Sequence, residues 1–83
     1  MGRPKTVRNE NQLGALIRTA RKKKGWRQVD LARQASMRQQ LISDLENGAS
    51  SSRLDTILKV LAALDLDLSV TDRRTPSFDP SEY

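Results

Sequence analysis

The sequence contains no cysteine and no histidine in its 83 residues. Without cysteine there are no disulfide staples and no thiolate metal ligands, a composition that fits a reducing cytoplasm. Without histidine the usual neutral-pH general base and the commonest metal ligand are both missing. Serines and carboxylates are scattered, with no glycine-rich phosphate loop beside them, so an enzyme is not expected. Asp67 and Asp72 straddle an alternating stretch without the spacing of a ligand loop, so neither a metal nor another cofactor is expected. No stretch approaches the ~18 apolar residues of a membrane span. The N-terminus is basic but has no apolar run of the signal-peptide kind.

What remains is one short domain. A chain of this length buries only about 60% of its unfolded surface, so its core is marginal unless it is very regular or a second copy helps. The net charge of +5 is unevenly spread. Residues 1–40 carry eleven Lys/Arg against Glu10 and Asp30, whereas residues 41–83 carry four against eight acids. The cationic first half fits a polyanionic partner, and it fits a solvated face kept for solubility equally well.

Residues 1–9 show no periodicity and read as a basic arm. Its Gly-Arg-Pro-Lys run has the look of a minor-groove hook, and its composition also fits a plain disordered start. A first helix is expected over Glu10–Lys24, with Leu13, Leu16, Ile17 and Ala20 on one stripe, Asn9 as cap and Gly25 as stop. Lys22, Lys23 and Lys24 suit the negative end of that helix, a role that competes with DNA contact. A short helix over Arg27–Ala35 follows, with Leu31, Ala32 and Ala35 inward and Trp26 as a core lid. A third helix over Gln39–Asn47 turns Leu41, Ile42 and Leu45 to one side. Gln39, Gln40, Ser43 and Asn47 gather on the other side, with Asp44 at its margin. That face carries amides where a solvated face usually carries Lys and Glu, and an amide has the paired donor and acceptor that adenine requires. Ser52 and Asp55 outline a capping box for a fourth helix over Arg53–Leu64, whose Leu54, Ile57, Leu58, Leu61 and Leu64 should anchor the core. Beyond it, Leu66, Leu68 and Val70 alternate with Asp67, Ser69 and Thr71. One strand cannot pair with itself, and its simplest partner is the same strand of a second copy. Residues 73–83, with two prolines, Phe78 and Tyr83, read as a tail.

Two short helices, a tight turn and a polar outer face on the second are the parts of a helix-turn-helix. With Trp26-Arg27-Gln28, Leu31-Ala32, Ile42-Ser43 and Leu45-Glu46-Asn47-Gly48 in place, the chain resembles the Xre/Cro family of repressors over about residues 13–64. The strand-like run after the fourth helix, Leu64 to Asp72, is similar to the HipB-type antitoxins of HipBA toxin–antitoxin modules. The resemblance implies an all-α, compact four-helix, lambda-repressor-like domain with a short C-terminal strand pairing across a homodimer. Its parts are the arm (1–9), the DNA-binding and dimerisation domain (10–72) and the tail (73–83).

The resemblance also implies roles. Gln28 and Asn47 contact DNA phosphates, and Arg38, Gln39, Gln40 and Ser43 face base edges. Arg21 and Glu46 form a structural ion pair, and Leu66, Leu68 and Val70 make the dimer strand. The partners implied are operator DNA, a second copy and a HipA-type serine/threonine kinase toxin, with no membrane, in a cytoplasmic, nucleoid-associated setting. Three departures stand out. Ser36 occupies a turn position where positive φ favours glycine, at a cost on the order of 1 kcal/mol. Arg27 and Arg38 stand where Thr or Ser commonly caps, forgoing a cap of ~1 kcal/mol and placing cations at helix starts. Both arginines are therefore expected on the DNA, Arg27 on phosphate and Arg38 on base or phosphate. A stand-alone repressor and a module binding some other acidic partner are the alternatives; the amide-rich third helix argues against the latter.

Overall fold

The computed structural model describes residues 6–49 and 53–73. Four helices fill this stretch: α1 (Glu10–Lys23), α2 (Gln28–Gln34), α3 (Gln39–Glu46) and α4 (Leu54–Ala63). Each begins and ends within a residue of where its apolar period and punctuation place it. At the start of α1 the Asn9 side chain accepts from the Gln12 N–H at 2.8 Å. That bond satisfies one of the four orphan donors of the first turn. Gly25 (φ 73°) and Gly48 (φ 66°) close α1 and α3 in the left-handed region. There the Trp26 N–H reaches back to the Arg21 carbonyl and the Ala49 N–H to that of Asp44.

The α2–α3 turn has the backbone that its position predicts. Ser36 adopts φ 56°, and the Met37 N–H returns to the Ala32 carbonyl at 2.8 Å. A side chain in this region crowds its own carbonyl, so the turn is made at some cost in stability. Asp65, with φ 59°, ends α4 in the same way, a feature not foreseen from the sequence.

The core is one cluster. Ile17, Leu31, Ile42 and Val60, one from each helix, are fully buried, with Ala32, Ala35, Leu45, Leu61 and Leu64 around them. Trp26 packs over its edge with Leu13, Leu16 and Ala20. α3 lies against both α1 and α2, and α4 rests on α2. This four-way convergence lets a small domain share one core among short helices that would not persist alone.

α4 departs from expectation. Ile57, Val60, Leu61 and Leu64 turn inward, but Leu54 and Leu58 are 62% and 43% exposed. The helix is apolar around more than one stripe, and a single neighbour covers only one of them. The alternating run behaves similarly. Among the described residues there is no strand: 66–73 carry no regular structure, although Leu66 packs on the core and its N–H binds the Leu61 carbonyl at 2.8 Å. Leu68 and Val70 point outward at 57% and 93% exposure. The Gly-Arg-Pro-Lys hook, Ser52 as a cap, and Phe78 and Tyr83 of the tail lie outside the described residues.

Candidate nucleic-acid interface

The recognition surface is built from the inner face of α3 outward. Ile42 and Leu45 are buried between α1 and α2, which fixes the rotation of α3 about its axis. With that side pinned, Gln39 and Gln40 are exposed, Ser43 and Asp44 are half-buried, and Asn47 stands exposed at the C-cap. Arg38, exposed with extended backbone (φ −75°, ψ 145°), forms the N-cap without a side-chain bond to the helix. One amide is already engaged: Gln40 Nε2 donates to Asp44 Oδ1 at 3.0 Å, one turn along. Its carbonyl oxygen and second N–H remain for an outside partner.

Gly14 brings α1 onto the end of this helix. A Cβ there would strike the carbonyl oxygens of Leu45 and Glu46, so only glycine permits the contact. The close approach places the α1 guanidiniums beside Glu46, whose side chain is fully buried. Arg21 Nε donates to Glu46 Oε2 at 2.6 Å and its Nη2 to Oε1 at 3.1 Å, while its Nη1 holds the Trp26 carbonyl at 2.8 Å. Arg21 and Glu46 are thus joined in a buried fork that ties α1, α3 and the loop before α2. Burial alone would raise the Glu46 pKa. The bonds from Arg21, Gln28 and Arg18 outweigh it and hold the carboxyl below its usual range.

Gln28 enters the same cluster. It is half-buried at the start of α2, and its Nε2 donates to Glu46 Oε1 at 3.2 Å. Arg18 completes it from α1, with Nε 3.4 Å from Glu46 Oε1 and Nη2 3.5 Å from Asn47 Oδ1. The sequence reading missed Arg18. The only hint was its spacing, three residues before Arg21 and so on a neighbouring stripe of α1.

Arg27 is folded back on its own helix. Its Nε and Nη2 donate to the two oxygens of Asp30 at 3.2 Å each, and Asp30 also accepts the Arg27 backbone N–H at 2.8 Å. Half of a capping box is therefore present, supplied from N3. The cation at this helix start is neutralised locally, and Asp30 is held below the usual carboxylate range by its bonds from Arg27. Its acidic residue three positions on was the sequence signal for this arrangement. Leu66, Leu68 and Val70 lie apart from this cluster in the chain, beyond α4.

A pinned α3 with an outward amide face, preceded by α2 and a tight turn, defines a helix-turn-helix of the DNA-binding kind. The helix-turn-helix family profile matches residues 17–70, and the chain belongs to this family, in its Xre branch. It is 29% identical to antitoxin HipB of Escherichia coli K12 over 76 residues, covering 92% of this chain and 86% of that protein. It is 32% identical to an HTH-type transcriptional regulator of Sinorhizobium fredii, covering 80% of this chain and 87% of that one. Its fold is similar to a chain of a HipA–HipB–O2–O3 complex, with a TM-score of 0.76 at 28% identity over 84% of this chain and 99% of that one. The class is that of DNA-binding regulators rather than enzymes. No helix among the described residues is long and apolar enough to cross a membrane.

Proposed function

We propose that this protein is a sequence-specific operator-binding repressor that acts as the antitoxin of a toxin–antitoxin module, represses its own operon and binds a HipA-type kinase toxin. The observation that carries the DNA-reading part is the exposed, largely uncharged face of α3. Gln39 and Gln40 are placed for adenine edges, Arg38 for guanine or phosphate, and Ser43 for either kind of base. Gln28 and Asn47 at the helix ends contact phosphates, which set register without reading sequence. Arg27 has a role on phosphate only if DNA draws it from Asp30, so its contribution is the smallest of the group.

The repressor works as a homodimer. Leu68 and Val70 with Leu54 and Leu58 leave apolar surface that one chain does not cover, and residues 66–71 pair with their own copy as strands. Residues 10–72 then form one DNA-binding and dimerisation unit, and the half-sites lie about 34 Å apart or a multiple of that. The antitoxin role is supported by the similarity to HipB, and by the HipA–HipB–operator complex among similar folds. A second reading, a regulator with no toxin partner, rests on the helix-turn-helix family membership alone.

Two experiments test the proposal. Gln39→Ala and Gln40→Ala should lower affinity for a duplex selected from a random pool while leaving weak binding to a scrambled duplex intact. Equal loss on both duplexes rejects base reading. Co-purification with the product of the adjacent gene separates the antitoxin from the stand-alone regulator: a kinase that is retained and silenced supports the first, and no retention supports the second.

A further inference from the structure

The Glu46 cluster holds one more positive charge than its carboxylate balances. The charge of Glu46 is neutralised by the Arg21 fork, whose two bonds are short and buried. Arg18 adds a second guanidinium to the same carboxylate at long range, 3.4 Å, with its side chain 47% exposed. Its other bond, to Asn47 Oδ1, is longer still at 3.5 Å. A guanidinium has five N–H donors in a rigid fork, and these two long bonds use two of them. Nη1 of Arg18 has no partner among the described residues.

The geometry points to Arg18 as a third phosphate anchor, an assignment that rests on the DNA-reading role of α3 proposed above. Arg18 lies between the two residues given to phosphate: it touches Asn47 directly and shares the Glu46 carboxylate with Gln28. It also orients the Asn47 amide. Asn47 Oδ1 is turned toward Arg18, which leaves the Asn47 Nδ2 donor facing away. Gln28 gives one N–H to Glu46 and keeps the other. Arg18, Asn47 and Gln28 thus form one hydrogen-bonded group around a carboxylate that the Arg21 fork neutralises, so the group carries net positive charge toward an incoming anion. A phosphodiester fits this charge, because the exposed guanidinium carries a positive charge that Glu46 does not offset. In this arrangement Glu46 is a positioning residue. It fixes Arg18 and Gln28 from behind while the Arg21 fork neutralises it.

Salt-dependent binding tests the assignment, with a duplex selected from a random pool and a scrambled duplex of the same composition. Arg18→Ala should weaken both about three- to tenfold at ~0.1 M salt and lower the salt slope by about one. Arg18→Lys should restore the slope by keeping the charge. Melting temperature separates anchoring from a structural role. Both variants should melt close to the wild type, since Arg18 contributes only two long bonds, one part-buried and one exposed. An unchanged slope, or a slope that falls only together with a large drop in melting temperature, overturns the assignment. If the wild type does not discriminate between the two duplexes, the α3 reading itself has failed; discrimination with an unaltered Arg18→Ala slope sinks this inference alone.

Discussion

The seam between α1 and α3 and the segment after α4 solve opposite problems. At the seam every buried polar side chain has a partner, the backbones meet at Gly14, and the charges are forked and enclosed. After α4, apolar side chains stand in solvent, and the backbone beyond Leu66 makes no regular structure. The first region is complete within one chain. The second has surface to bury and donors to satisfy, which is what the proposed second copy would supply. Even the ion pairs differ. Glu46–Arg21 is buried, whereas Lys24 reaches Asp65 at 2.7 Å across a site where the acid side chain is 83% exposed. The lesson is that the half carrying the α3 face is preorganised by its own fold, and the half after α4 is left open.

The comparison is broken most forcefully at Glu46. Glu46→Gln leaves the Arg21 guanidinium buried without a counter-charge, and stability should fall by roughly 3–5 kcal/mol in denaturant unfolding. The same pair gives the domain a definite acid response. Because the folded pKa of Glu46 lies below its ordinary value of 4.5, its contribution is fully present above that pH. It is lost as the pH falls through the lowered value, and the acid-induced loss should shrink in Glu46→Gln.

Gly14→Ala comes next. The new methyl meets the Leu45 and Glu46 carbonyls, so α1 must move off α3 at a cost of about 1–3 kcal/mol. The shift should appear both in the melting temperature and in DNA affinity, since it tilts the recognition helix. Lys24→Ala should cost less than about 1 kcal/mol, because an exposed pair returns little. Its effect should vanish in high salt apart from the contact with Trp26, whose ring centroid lies 5.2 Å from the ammonium. Val70→Asp is expected to do least to the fold of the single chain and most to its assembly. The side chain is 93% exposed, so helical content should persist while sedimentation shifts from dimer to monomer. A dimer that survives this change contradicts the shared strand.

Much of the DNA-facing half was legible in the sequence because its signals are local. Helix limits follow from Asn9, Gly25 and Gly48, and the outward direction of Gln39 and Gln40 follows from the period that buries Ile42 and Leu45. The left-handed turn at Ser36 was readable from its place between two short helices. Arg18 was not, because its partner Glu46 lies 28 residues away and is brought close only by the packing that Gly14 allows. The Arg27–Asp30 fork has a local signal, the acid three residues on that stands in for the missing cap. The outward Leu54 and Leu58 were illegible for a different reason. Periodicity says that a stripe is apolar, and the neighbour that covers it is set by the whole fold.

The most direct test of the claim that the α3 face enters the major groove is an NMR titration of the isotope-labelled protein with a selected duplex. Intermolecular contacts from the side-chain amides of Gln39 and Gln40 to base protons, with α4 amides unmoved, are the predicted result. Contacts confined to α4 or to residues 66–73, with the Gln39 and Gln40 amides unperturbed, would contradict the account.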